Sequence, residues 1–580
     1  MCRACKEIFG CMGAPLAGCI EPSSPDVSDW MATLVLTTLL RGDLKLKNEF
    51  VVFWTPFILW HLGSPHNITA YSLEDNGLWL RHFFGFVFQV GEAFYIYAKF
   101  RSTSNFELNA MAIPIFVAGV IKYGERIWAL RCASDKQLVN SFFSTPVNKI
   151  KEKKVRTGLS EKTVDGIFKN KGVVPEVDIL RQAYASYNVF QPLFTDIPFR
   201  LSREFHDNMV FMKSKSAEDA FKFVDVELGF VYDLFFTKNP IQYRNLKVSA
   251  ALRGFCFGSA IGSLIAFTVV GKHKYLTIDV GVTYLLLVGA ISLDVYSFFM
   301  HAISTWAMIL LPIPRKKVHK MYARVVASRL KSIKAKSGIK LMAQHNLVKY
   351  CVVAKTSSFP GAIRLLDPGN LLQKYGYTKW IPVDPDLKKF IYDHLKKKRD
   401  RCRDFTMDEL EKSLNEKEDR VFKQKYKEML ATDAKLEISD DEFQSIFPKM
   451  DRTYFVRSIF LWHIATDLMF YDDRDNHRVG ATDSLCNISK SLSDYMMYLT
   501  LRLARVMRWD VDEKWEMISE VWMEMMTHAA SRCSWTEHAQ QLRHGGELLT
   551  HVALIMAHLG LSTKIGIDED EDSDTPPFDA

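Results

Sequence analysis

At 580 residues the chain is long enough for three or four domains, and its 48% hydrophobic content suits a soluble protein as readily as a membrane one, so local windows must decide. The net charge of +8 includes seven acids and no base in the last thirteen residues, which leaves the remainder at +15; these cations flank apolar segments and so point to an anionic membrane surface rather than to nucleic acid. Ten cysteines without framework spacing exclude a small secreted disulfide scaffold.

Residues 1–26 hold Cys2, Cys5, Cys11 and Cys19, read as reduced thiols because Cys2-x-x-Cys5 lacks a second pair at zinc spacing. Pro15, Gly18 and Glu21 break the first apolar stretch before a signal-peptide core develops, so insertion is expected through an internal helix. Residues 27–130 are read as the N-terminal membrane helices. Val27–Leu40 and Phe50–Leu62, the second interrupted by Pro56, fall short of the roughly 20 residues that cross a hydrocarbon core, and read as tilted, re-entrant or buried helices. Leu78–Ala98 has the length to span, with Arg81 and His82 near one interface. Asn109–Ile121 is short again and runs into Lys122, Glu125 and Arg126, which predicts a span with a polar cytoplasmic end.

Residues 131–248, with the basic run KIKEKKVR at Lys149–Arg156, read as a cytoplasmic helical segment. Within 249–312, Ala251–Val270 and Val280–Met300 predict a transmembrane hairpin around the GKHKY turn. IPRKKVHK and further cations up to Lys340 place the C-terminal half on the cytoplasmic side, with five or six passes in all. Residues 313–440 read as a basic juxtamembrane and helical linker, and 441–567 as a C-terminal helical domain. Tyr454–Phe470 is apolar enough to imitate a span, but Arg457, His463 and Asp467 predict a buried helix. The acidic tail, 568–580, has almost nothing to bury and is expected to be disordered. The fold class is mainly α, a multi-pass helical membrane domain with soluble, predominantly helical cytoplasmic regions.

Gly254, Gly258 and Gly262 recur at spacing four, so they share one helix face and would let another helix approach closely. A neighbouring helix of the same chain is the expected occupant, and a second copy the alternative. Glu92, Asp279 and Asp294 are acids within or beside apolar stretches and are candidates for a pathway or proton relay; the structural reading pairs them with Arg81, Arg253 or backbone groups. His463 and Asp467 lie one helical turn apart, and His538, His544, His551 and His558 follow, but without zinc spacing they read as ordinary histidines. Asp384-Pro-Asp386 reads as a cap on a helix starting at Leu387. No phosphate-binding loop, nucleophile elbow or kinase set is present, so no catalytic residue, metal or cofactor is expected.

Long phrases carry a family resemblance. Thr55–His82 (TPFILWHLGSPHNITAYSLEDNGLWLRH), Ile121–Leu130 (IKYGERIWAL), Met212–Lys238, MAQHNLVKYC and KWIPVDPDLKKFI resemble a plant membrane-protein domain of unknown function numbered 4220. LWHIATDL (Leu461–Leu468), SDYMMYL (Ser493–Leu499) and Val521–Leu561 resemble its C-terminal companion, domain of unknown function 594. The first 25 residues and the link from Leu499 to Lys514 depart from that pattern. The resemblance implies a membrane protein and supplies no catalytic residues. The expected partners are the lipid bilayer, a cytoplasmic protein and a second copy of the chain. The expected role is a cytoplasm-facing interaction or signalling protein, with a solute or ion transporter as the alternative.

Overall fold

The computed structural model describes residues 48–63, 72–102, 105–143, 175–196, 199–200, 203–269, 277–302, 304–310, 341–349, 379–402, 452–475, 484–500, 514–544, 547–562 and 565–566, with isolated residues 36, 69, 70, 409, 410 and 414. The four N-terminal cysteines, Val27–Leu40 apart from Leu36, both basic runs, the GKHKY turn and the acidic tail lie outside them. In chain order the main helices are α1 (Asn48–Leu62), α2 (Trp79–Phe100), α3 (Phe106–Cys132), α4 (Pro175–Phe190), α5 (Arg203–Lys213), α6 (Ala217–Phe236), α7 (Asn239–Arg244), α8 (Leu246–Val269) and α9 (Thr277–Ala302). They continue with α10 (Pro385–Arg401), α11 (Arg452–Asp475), α12 (Ser484–Thr500), α13 (Lys514–Arg532), α14 (Trp535–Gln541) and α15 (Leu548–His558). Short strands β1 (Phe199–Arg200) and β4 (Ile565–Gly566) pair in parallel, and β2 (Leu341–Gln344) and β3 (Lys379–Pro382) pair antiparallel. The fold is mainly α, as the sequence pattern predicts.

Two compact units divide the chain, one within Met1–Thr195 and Glu227–Lys331, the other within Asp196–Val226 and Ser332–Ala580. Residues 196–226 fall within the second unit.

In the first unit α1 is apolar on every side and is buried accordingly, with Phe50, Val52, Phe53, Trp54 and Phe57 all nearly inaccessible. Its 15 residues rise only about 22 Å, short of a ~30 Å hydrocarbon core. Phe53 stacks on Phe267 of α8 at 6.2 Å, and the Trp54 indole donates to Thr283 of α9 at 3.0 Å. Gly119 of α3 lets α1 approach closely, since a Cβ there would stand 3.0 Å from the Leu59 Cβ and 3.1 Å from the Pro56 carbonyl oxygen.

Among the described helices α3, α8 and α9 are long and apolar enough to cross a membrane. The expected short span at Asn109–Ile121 is thus a 27-residue helix that continues through Lys122, Glu125 and Arg126. Leu78–Ala98 is a helix at Trp79–Phe100, long enough at 22 residues but not among those three. The outside of this unit is apolar as well as its core: Phe88 is 76% exposed, Phe106 86%, Val269 81% and Phe298 69%. A bundle facing water would bury such side chains.

Among the described residues a Cβ at Gly254, Gly258 or Gly262 would meet nothing within 4 Å, and α8 turns Cys256, Ala260 and Phe267 to the core.

In the second unit every residue of α15 is buried, so this short apolar helix is a core element. Tyr454–Phe470 falls within α11, where His463 and Asp467 are buried as expected. The cap of α10 is Asp384, which accepts from the Asp386 N–H at 3.2 Å; the helix starts at Pro385, not Leu387, because proline's fixed φ suits a first helical position.

Candidate functional site

Several charges of the first unit gather around the C-terminal part of α3. Lys122 of α3 pairs with Asp294 of α9, and its ammonium lies 3.8 Å from the centre of the Trp60 ring. One turn further along α3, Glu125 accepts from Gln242 of α7 at 3.1 Å, and Gln242 in turn accepts from Arg253 of α8. Arg126 donates to the Leu62 carbonyl at 3.3 Å, and Lys238 to the Gly63 carbonyl. These carbonyls close α1, where the helix dipole favours cations. Gly63 is required there, since a Cβ would stand 2.6 Å from the Lys122 Cβ.

Just outside the apolar helices, burial pulls Lys238 down to about 8. Asp233 of α6 is pushed up to about 6 by burial, against hydrogen bonds from Trp306, Asn239 and Thr237. Both directions report groups removed from water.

The three candidate acids do not converge. Asp294 takes Lys122, neither Arg81 nor Arg253, as its salt-bridge partner. Asp279 is buried in the first turn of α9, fifteen residues and about 22 Å along the same helix. Glu92 is half-buried on α2. The sequence reading missed Lys122, Gln242 and Lys238 as partners; the interruption of an apolar run by Lys122 and Glu125 was the available signal.

The second unit holds a buried polar constellation. His463 Nε2 accepts the Leu347 N–H at 3.1 Å, so in the neutral ring Nδ1 carries the proton and donates to Ser493 Oγ at 2.9 Å. A histidine in that tautomer cannot take the Ser493 proton, and burial holds it down at about 3. Asp467 accepts from Asn346 at 2.6 Å and from Lys490 at 2.8 Å, and Lys490 also pairs with Asp494. Burial, aided by Asp467 and opposed by Lys490, pushes Asp494 up to about 6. Glu524 is also buried, yet His394 at 3.2 Å and Lys398 bring it down to about 2.

Two further histidines of this unit are similarly engaged. His538 bridges Thr550 and the Ala530 carbonyl, each at 3.3 Å, and both ring nitrogens of His551 face acceptors, the Glu547 carbonyl and Asp225. Among the described residues no group of three or more His, Cys, Asp or Glu is placed to hold a metal ion.

Residues 196–226 complete this unit. Asp196, at φ 54°, accepts from the Trp535 N–H at 3.2 Å and the Thr536 hydroxyl at 3.3 Å at the start of α14. Asn208 donates to His558 Nδ1 at 3.2 Å, and Phe223 meets the same ring edge to face. β1 pairs with β4.

A family model described as a domain of unknown function, DUF4220, matches residues 26–351, and one described as a protein of unknown function, DUF594, matches residues 507–561. No curated protein and no solved structure matches the chain.

Proposed function

This chain belongs to the DUF4220 family and carries a DUF594 segment, and from that premise we propose that it is an integral membrane protein whose second unit is a cytoplasm-facing interaction or signalling module. The outward apolar surface of α2, α3, α8 and α9 carries the reading. In it α2 is a fourth crossing: its 22 residues rise about 33 Å, its outward side presents Phe84, Phe88 and Phe94, and Arg81 and Lys99 stand near its ends, where long cations reach headgroups.

Arg131 lies over the rings of Trp79 and Trp128, a cation and two indoles at the end where α2 begins and α3 finishes. Arg244 and Lys247 are exposed where α8 begins, and the basic run up to Lys340 follows α9 in the sequence. By the positive-inside rule that end faces the cytoplasm. The interaction reading is favoured over transport because Asp294 is engaged by Lys122, and because Arg126 and Lys238 occupy the carbonyl end of α1, where a broken helix would otherwise hold a passing cation.

Reporter cysteines in microsomes test this. Gln137→Cys and Asp400→Cys should react with an impermeant maleimide added outside, and Lys274→Cys only after permeabilisation. Proximity labelling from the C-terminal end should then mark cytoplasmic proteins. Protection of Asp400→Cys would sink the cytoplasmic module, and solute flux in liposomes lost on Asp294→Asn would restore the transporter.

A further inference from the structure

Where α7, α8 and α9 meet, three buried polar atoms have no hydrogen-bond partner among the described residues: Ser249 Oγ, Arg253 Nη1 and His301 Nδ1. Ser249, 8% exposed, stands one turn before Arg253 on the same face of α8, and Arg253 lies within Coulombic reach of His301. Their surroundings are ordered. Arg253 is held through its other terminal nitrogen by Gln242, itself anchored on Glu125, so one edge of the guanidinium is fixed and the other left over. The His301 ring stacks on Tyr243 at 4.2 Å, and the Tyr243 hydroxyl donates to the His301 carbonyl at 2.8 Å.

A buried donor without a partner costs about 1–3 kcal/mol, and more when charged, so unpaired groups on these neighbouring helices call for a polar group that the described residues do not supply. That group must be an anion to suit Arg253, and must accept from a hydroxyl to suit Ser249. A phosphate oxygen does both, and the exposed cations Arg244 and Lys247 in the preceding turns add to its attraction. Beside the three atoms α8 turns Val248, Leu252 and Phe255 outward, 59%, 38% and 44% exposed, which is a surface for hydrocarbon. The depth agrees: Arg253 is seven residues, about 10 Å, into α8, within reach of the interface for a long side chain.

We propose that Ser249, Arg253 and His301 bind the phosphate of an anionic phospholipid in the leaflet at the basic end of the bundle. The proposal rests on the membrane reading above.

The test uses the full-length chain, purified in mild detergent, stripped of lipid and titrated with short-chain phosphatidylserine, phosphatidylcholine of the same chain length, or inorganic phosphate, with thermal unfolding as the readout. Phosphatidylserine should raise the midpoint more than phosphatidylcholine, which has the same phosphodiester but no net charge for Arg244 and Lys247 to attract, and inorganic phosphate should not raise it. Ser249→Ala should weaken the response roughly fivefold, the effect of one lost hydrogen bond, and Arg253→Gln should abolish it, while Lys99→Gln on α2 leaves it intact. If Arg253→Gln does not fold, Ser249→Ala decides. An unchanged response in Ser249→Ala overturns the site, equal stabilisation by phosphatidylcholine overturns the anionic-lipid assignment, and full stabilisation by inorganic phosphate overturns the lipid assignment altogether. A chain released from membranes by alkaline carbonate refutes the membrane reading instead.

Discussion

Lys122 of α3 and Asp294 of α9, 172 residues apart in the chain, form an ion pair between two helices that are each long and apolar enough to cross a membrane. Removing one partner strands the other in an apolar bundle, at a cost of about 3–5 kcal/mol, whereas replacing both with apolar residues costs far less. Lys122→Met and Asp294→Leu should each lower the thermal midpoint in detergent, and the double variant should regain most of the loss. A double variant as unstable as the two losses added would show that the residues are not coupled.

The glycines separate into two kinds. Gly63→Ala should lower the midpoint clearly, because its Cβ would meet the Lys122 Cβ at 2.6 Å and the Lys122 carbonyl carbon at 2.7 Å. Gly258→Ala meets open space and should be neutral or stabilising by up to about 1 kcal/mol, the helix-propensity gain of alanine. The reverse order of stability would contradict the packing of α1 on α3.

In the second unit two groups respond to pH with opposite sign. His463, held at about 3 by burial, contributes stability that is fully present above pH 6.5 and is lost as the pH falls towards 3. Asp494, raised to about 6, contributes stability that is fully present below its ordinary 3.8 and is lost as the pH rises through 6. Asp494→Asn should therefore be more stable than the parent at pH 8, by on the order of 2 kcal/mol, and indistinguishable from it below pH 4. Thermal melts at pH 8, 6 and 4 check both ends; a less stable variant at pH 8 would mean that the Lys490 attraction outweighs burial.

A fragment of residues 441–567 lacks Asp196, Asn208, Asp225 and β1, which cap, bond or pair with α14, α15 and β4. It should show no cooperative melt by circular dichroism. Cooperative unfolding of that fragment alone would make residues 196–226 an accessory rather than a part of the unit's core.

The α8–α9 hairpin was legible because both apolar runs are unbroken: the expected Ala251–Val270 and Val280–Met300 correspond to Leu246–Val269 and Thr277–Ala302. The family could be read from long phrases. The full length of α3 could not, because a local window treats Lys122 and Glu125 as the end of an apolar run, while their partners Asp294 and Gln242 lie more than a hundred residues downstream. The three spaced glycines of α8 illustrate the same limit: spacing fixes a shared face, but what that face meets depends on the tertiary arrangement. His463 and Asp467 were visible as neighbours one turn apart, and their partners Asn346, Lys490 and Ser493 were not.

The enclosure of α1 also sets an order of assembly. Trp54 finds its hydrogen-bond partner only in Thr283, 229 residues later. At a synthesis rate of about 5–20 residues per second, that partner emerges on the order of tens of seconds after α1 itself. On the membrane reading, α1, mostly apolar and too short to cross the bilayer, waits through that interval with the flank that meets α9 uncovered. Biogenesis on that reading has a vulnerable period, closed by the arrival of α9.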